Sequence, residues 1–445
     1  MSRSIEVEQK HRQWNFANMS IDRDSALAWL GYASLVAAVI FQLTVLPETL
    51  NVKFLGRLVN AALLLVFSGL FLFGAMQVRV KIRVMLLYIM PIFVIIIGFV
   101  INLSRGIGFE NVGYVSILLP YLAGISLPFL KRFDISRAWE IYYWIMIVLC
   151  GISVIEYVMV FSGWLPLSVH LNDRNNFLRG IVTIFYDLGG STPHYRLYGV
   201  FFEPGTAAML ALPALAYSLI RRRLIGIAVF IAIFALTDSL GGYMALAVTF
   251  AAYLYICLDR LRYAGVIRFF AWTLALPIGA ILLFFALAPV YEHKAGSALV
   301  REQNIIGFFS NFFGLILQRP FGFSLSGSSL TSVGDQGGYL GSNFMFYVAY
   351  VEGGVLAMIG YLVLSGSAAI LAFRVILMPK GQSPAALAAF ISLPAMLLFS
   401  FQRGSIFETV LLAFLYAIPM IEALGGGPAR YIQRNSAKLA TRDAA

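Results

Sequence analysis

The chain has 445 residues, of which 60% are hydrophobic and 12% charged, and it carries a net charge of +11. Soluble domains are roughly 45–50% apolar, so this composition excludes a soluble globular protein and predicts an all-α polytopic membrane protein. The basic surplus does not point to nucleic acid, because its distribution follows a membrane topology.

In chain order, apolar runs place about twelve spans at 25–46, 58–77, 84–103, 113–130, 138–161, 199–220, 224–237, 240–258, 269–290, 344–366, 384–401 and 406–424. Most are long enough to cross roughly 30 Å of hydrocarbon. Residues 1–24 are polar and do not read as a cleaved signal peptide, whose apolar region starts close to the N-terminus. They read as a cytoplasmic tail, 25–424 as a single transmembrane domain and 425–445 as a second cytoplasmic tail. With both termini inside, 22 of the 32 lysines and arginines fall in inner segments, among them "RVKIR" at 79–83 and "RRR" at 221–223. That is the positive-inside pattern. The "DRD" of Asp22–Asp24 lies in the short first tail and reads as a solvated helix start.

Cys150 and Cys257 both fall in spans and offer no disulfide framework. His11, His170, His194 and His293 have no metal-ligand spacing, and phosphate-loop and dinucleotide fingerprints are absent, so no metal or cofactor is expected. No repeat relates the two halves, which disfavours a transporter built from inverted repeats.

Two outer connections are long, at about 162–198 and 291–343. Such segments are functional or disordered, and their aromatic, Ile and Leu content argues for order. In "NIIGFFSNFFGLILQ" of the second, Asn304, Gly307, Asn311, Gly314 and Gln318 share one helical face. About fifteen residues rise roughly 22 Å, short for a crossing, so this helix is expected to lie in the outer interface. The seventh span is also short and ends at "TDSLGG" (237–242). A polar turn at membrane depth must be buried in protein or line a wet cavity, and a cavity open to the outer side is expected here.

Seven of the outward cations lie in or near that cavity: Arg174, Arg179, Arg196, Lys294, Arg301, Arg319 and Arg403. Each alone fits lipid-headgroup contact or salt bridging with Asp173, Asp187 or Glu292. As a set in loops that normally avoid cations, they fit anion binding, for which arginine's fork suits phosphate. Glu203 precedes Pro204 at the start of the sixth span. An acid there complements the helix dipole, but Glu is a poor N-cap, so two readings stand side by side: a helix start, or a general base beside phosphate-binding arginines. Glu352 and Glu156 lie inside spans and read as structural, hydrogen-bonded acids, with Gly353 and Gly354 marking close helix packing. Trp164, Tyr186, Tyr195 and Tyr198 fit sugar stacking and an interfacial belt equally.

These motifs resemble the O-antigen polymerase and ligase superfamily of bacterial envelope glycosyltransferases. "RLYGVFFEP" resembles its Arg-x-x-Gly-x-Phe-x-(Asn/Glu)-Pro signature at Arg196, Gly199, Phe202, Glu203 and Pro204. "TDSLGG" resembles the following Thr-x-Ser-Arg-Gly element at Thr237, Ser239 and Gly241, with Leu240 in place of the arginine. Arg301, "RPFGFSLSGSS" and "SNFMFYVAYVEGG", with Asn343, Glu352 and Gly354, resemble its later stretches. Ten residues separate Arg179 from Gly190, similar to a loop pattern of the polymerases. Gly341 and Ser342 stand where ligases carry a histidine, which favours a polymerase over a ligase.

The resemblance implies metal-independent joining of undecaprenyl-diphosphate-linked oligosaccharide repeats into O-antigen or exopolysaccharide at the periplasmic face of the inner membrane. Glu203 would be the base, with Arg196 and Arg301 catalytic and Arg174, Arg179, Arg319, Arg403, Asn343 and Tyr198 binding substrate. Inner-membrane lipids and the pathway's chain-length regulator and flippase are the partners it implies. A ligase and a flippase of the same lipid-linked sugars are the alternatives.

Overall fold

The computed structural model describes residues 23–44, 58–69, 81–106, 118–130, 133–169, 177–187, 195–201, 204–258, 306–322, 345–379, 381–403 and 415–425, with a few single positions omitted. Among the described residues, four helices are long and apolar enough to cross a membrane: Ile82–Asn102, Ile135–Phe161, Gly241–Leu258 and Gly353–Leu377. Four shorter apolar helices, Ser25–Phe41, Gly205–Arg221, Leu224–Thr237 and Pro384–Ser400, join them. This is the make-up of a multi-pass membrane protein.

In chain order the helices are α1 (Arg23–Leu43), α2 (61–69), α3 (Met90–Gly106, preceded by a π-helical turn at Met85–Ile89), α4 (Leu119–Ser126) and α5 (Ile135–Phe161). They continue with α6 (Pro204–Arg221), α7 (Leu224–Thr237), α8 (Leu240–Leu258), α9 (the described part of 306–318), α10 (Met345–Leu377), α11 (Pro384–Arg403) and α12 (Ala417–Ala423). α7 and α8 coincide with the spans expected at 224–237 and 240–258. α10 runs on past the expected end at 366 to Leu377, because "SAAILAFRVIL" contains no helix breaker. The span expected at 269–290 lies outside the described residues.

α6 is the axis of the bundle. Every side chain from Ala207 to Leu219 is buried, and α5, α7, α8 and α11 pack around it. A helix apolar on all sides belongs in such a position. α3 and α10 meet through small residues. A Cβ at Gly98 would stand 2.4 Å from the Gly353 carbonyl oxygen, and one at Gly360 would stand 2.6 Å from that of Pro91. With no water to drive association in lipid, such close backbone packing holds helices together.

The 162–198 connection contains strands that the sequence reading did not assign. β1 (Ser168–Val169), β2 (Phe177–Arg179), β3 (Ile184–Asp187) and β4 (Tyr195–Gly199) form an antiparallel meander in chain order. Phe185 and Leu197 are paired across β3 and β4, and both are fully buried against the bundle. The register slips between Ile184 and Phe185, so Tyr198 is the extra residue of a β-bulge. The otherwise all-α fold therefore carries a small β cap.

Contacts fix which elements share an end. Asn102, late in α3, donates to the Val351 carbonyl early in α10 at 3.1 Å, so these helices are antiparallel. The start of α3 meets the end of α12, where a side chain at Gly425 would touch Lys81 Nζ. α12 in turn packs against the Leu127–Phe129 turn at the foot of α5. α10 therefore begins at the end where α5 finishes and the sheet sits. Arg83, Arg137, Arg221, Arg222, Arg223 and Arg374 gather at the opposite end. Exposed Trp144 on α5 and exposed Trp164 in the turn after it flank an exposed apolar stripe through Val148, Ile152, Ile155 and Phe161. Trp144 to Phe161 rises about 26 Å, close to the depth of a hydrocarbon core between two aromatic belts.

Candidate functional site

The site grows from one strand. β4 places Arg196 beside the corner between α7 and α8, and Gly199 turns the chain toward α6 with a left-handed φ of 68°. A Cβ at Gly199 would lie 3.0 Å from Ser153 Oγ, so both backbone angle and space favour glycine. Phe201 is buried below, and α6 begins at Pro204, where proline's missing N–H costs no helix hydrogen bond. Phe202 and Glu203 lie outside the described residues, on the short link between these two fixed points.

Arg196 is held by the "TDSLGG" corner. Its Nε donates to the Thr237 carbonyl at 2.7 Å and its Nη2 to the Asp238 carbonyl at 2.8 Å. These are C-terminal carbonyls of α7, where a cation also complements the helix dipole. Asp238 takes the left-handed conformation (φ 43°), while Thr237 and Ser239 on either side are buried. Of the two environments open to a polar turn at membrane depth, the described residues supply burial, with a guanidinium closing the freed carbonyls.

A second acid pins the sheet. Glu156, 4% exposed on α5, accepts backbone N–H groups of Ile181, Val182 and Thr183 at 3.0–3.1 Å. These amides form the β2–β3 turn, which starts at Gly180, where a Cβ would stand 2.5 Å from Glu156 Oε2. The expectation of a hydrogen-bonded structural acid at Glu156 holds. Arg179 ends β2 beside this turn, half-buried, with long contacts of 3.4 Å from Nε and Nη2 to the Ile181 carbonyl.

The third part is where α9 docks on α10. Phe312, Leu315 and Ile316 of α9 pack on Tyr350, Val351 and Met358, while Phe313 and Leu317 are 79% and 83% exposed. The Tyr350 hydroxyl bonds the carbonyls of Leu315 (2.7 Å) and Arg319 (2.9 Å). α10 is interrupted at Gly354 (φ 66°, ψ −163°), and the diverted N–H of Val355 donates to the Pro320 carbonyl at 2.9 Å. The Val351 carbonyl receives Asn102 instead. Broken backbone at membrane depth is thus satisfied inside the protein. Gly322 and Gly354 interlock. A Cβ at Gly322 would lie 2.3 Å from the Tyr350 carbonyl oxygen, and one at Gly354 would lie 2.6 Å from Phe321.

Of the residues singled out from sequence, Arg179, Arg196 and Tyr198 share the sheet, and Arg319 sits exposed on the α9–α10 docking segment at the same end. Arg403 ends α11, and only its backbone is described. Arg174, Glu203, Arg301 and Asn343 lie outside the described residues, as does the side chain of Glu352. Two polar anchors escaped the sequence reading. Asn102 had no signal beyond being an amide in an apolar run. Glu140 offered one, as an acid in the first turns of a span with the "RRR" cluster available for pairing. No known protein-family model matches the chain, and no curated protein matches it.

Proposed function

We propose that the protein is a membrane glycosyltransferase that polymerises undecaprenyl-diphosphate-linked oligosaccharide repeats at the periplasmic face of the bacterial inner membrane. The observation that supports this most directly is the gathering of the β4 strand with Arg196 and Tyr198, the β2 strand with Arg179, and the Arg319 segment at one end of the bundle. The arginine-rich α6–α7 corner lies at the other end, and the positive-inside rule assigns that end to the cytoplasm.

In this reading a sugar hydroxyl of the acceptor attacks the anomeric carbon of the donor, and Glu203 takes its proton. The new glycosidic C–O bond forms as the bond to the diphosphate breaks, and undecaprenyl diphosphate leaves with the electron pair. Pre-placed guanidinium groups stabilise the charge that builds on the leaving group. Arg179, Arg319, Arg174, Arg301 and Arg403 are the candidates for that contact. Arg196 holds the α7–α8 corner beneath the strand and adds its charge to the same end. The exposed ridge of α9 lies in the outer interface, with Arg319 at the headgroup level.

The test is reconstitution of the purified full chain in phospholipid vesicles with a lipid-linked repeat as sole substrate. A ladder of products differing by one repeat supports the reading. No product from the lipid-linked repeat alone, whether or not a non-lipid-linked acceptor added afterwards is glycosylated, overturns it.

A further inference from the structure

We propose that the corner between α6 and α7 is a binding site for the headgroup phosphate of an anionic phospholipid. Arg221, Arg222 and Arg223 stand consecutively there, with Glu140 of α5 as the carboxylate that answers them. Glu140 is engaged on all sides. It accepts from Arg223 Nη2 at 2.7 and 2.9 Å, from the Tyr217 hydroxyl at 2.8 Å and from Trp144 Nε1 at 2.9 Å. Arg223 also lies 4.5 Å over the Tyr143 ring, and Arg221 lies 5.6 Å over Tyr217. Three guanidinium groups against one carboxylate leave the corner cationic. The Nη1 of Arg223 is shielded from solvent and has no hydrogen-bond partner among the described residues.

A helix C-terminus and membrane topology explain a cation at 221. Topology accounts for the charge at 222 as well, but not for its place in the backbone. Arg222 N bonds the Leu219 carbonyl and Arg223 N the Ser218 carbonyl, so Arg222 is the left-handed residue that ends α6, with φ 56°. Glycine is the residue suited to that position, and this chain uses it at Gly163 after α5 and Gly425 after α12, with φ 75° and 82°. Placing arginine in a strained conformation projects an exposed guanidinium from the tightest point of the corner, and strain kept in this way is an observation that points toward function.

The surroundings define the ligand's other half. Leu224 and Ile225 at the start of α7 are 77% and 76% exposed, and exposed Trp144, Val148 and Ile152 continue along α5. A phosphate at the arginines with apolar chains along this surface is the shape of a phospholipid at a membrane boundary. Basic pockets between spanning helices recognise such headgroups.

The test uses the full chain in a neutral detergent, with its thermal unfolding midpoint followed during titration with dihexanoyl phosphatidylglycerol, dihexanoyl phosphatidylcholine or inorganic phosphate. Phosphatidylglycerol should raise the midpoint and phosphatidylcholine should not. Arg222→Gly relieves the strained backbone, so without lipid it should unfold no lower than the parent, yet bind phosphatidylglycerol about fivefold more weakly, as removal of one cation near an anionic headgroup requires. Arg221→Gln is a second variant with an unaltered turn and should weaken binding similarly. Equal response to both lipids, or full preference retained in both variants, overturns the proposal. A shift reproduced by inorganic phosphate at equal concentration also overturns it, assigning the corner to a free anion.

Discussion

Two arginines at opposite ends of the bundle make the same kind of two-pronged contact with different partners. Arg196 directs Nε and Nη2 at two peptide carbonyls, those of Thr237 and Asp238. Arg223 directs its contacts at a carboxylate, Glu140. A peptide oxygen accepts the bond without neutralising the guanidinium, whereas a carboxylate does both. The sheet end thus uses a cation to close a helix terminus, and the far end uses one to fasten three helices through an ion pair. The first arrangement secures a turn, and the second holds three helices together.

The change expected to separate the two ends most is Glu203→Gln. If the sheet end performs the transfer with Glu203 as base, the amide keeps the shape and loses the basicity. Polymerisation should fall by about 10²–10⁴-fold, while insertion and thermal unfolding stay near the parent's. Near-normal ladders from this variant would return Glu203 to a helix-start role, whose dipole contact is worth roughly 0.3–1 kcal/mol.

Next in size is Gly322→Ala. Its Cβ would lie 2.3 Å from the Tyr350 carbonyl oxygen, in a backbone with φ 77°. Overpacking costs roughly 1–3 kcal/mol and the left-handed conformation a similar order, so α9 should undock from the α10 interruption. Faster proteolysis between 306 and 322, with the helical core intact, is the expected readout. Unchanged cleavage would mean that this end is less tightly built than its interlocked backbones indicate.

These outcomes also bear on what could be read from the amino-acid order. Hydropathy placed α7 and α8 to the residue, because apolar runs between "RRR", "TDSLGG" and Asp259 leave no choice of boundary. The β cap was not legible. Its strands are two to five residues long, and the buried pair of Phe185 and Leu197 gives too little alternation for a periodic signal. The carboxylate of Glu156 could be recognised as structural, yet its partners could not, since they are backbone amides from another element and any sequence supplies those. Nothing in the order of residues announced that Arg196 would reach across to residues 237 and 238.

Arg196→Lys tests that reach. A lysine ammonium cannot span both carbonyls in one plane, and hydrogen bonds to a charged group are worth about 1.5–3 kcal/mol. The variant should unfold earlier in detergent and lose polymerisation. If Arg196 acts only by holding the corner, kcat should fall with little change in KM for the lipid-linked donor. A rise in KM at constant kcat would instead place its guanidinium on the diphosphate.

The smallest effect is expected at the far end, from Glu140→Gln. The Arg223 and Glu140 side chains are 30% and 34% exposed, and ion pairs so open to solvent contribute about 0.2–1 kcal/mol. The amide keeps an oxygen that can accept from Tyr217 or Arg223, which limits the loss further. Polymerisation should be unchanged, because no residue of the proposed site touches this corner. A double-mutant cycle with Arg223→Gln isolates the pair, and its coupling should fall within that range and shrink as salt is added. The fork that Arg196→Lys breaks ends on two peptide carbonyls, and salt screens such bonds less than an ion pair, so its cost should respond less to salt. A Glu140→Gln variant that loses stability as Arg196→Lys does, with the same response to salt, would erase the distinction between a carbonyl-bound clamp at one end and an ion pair at the other.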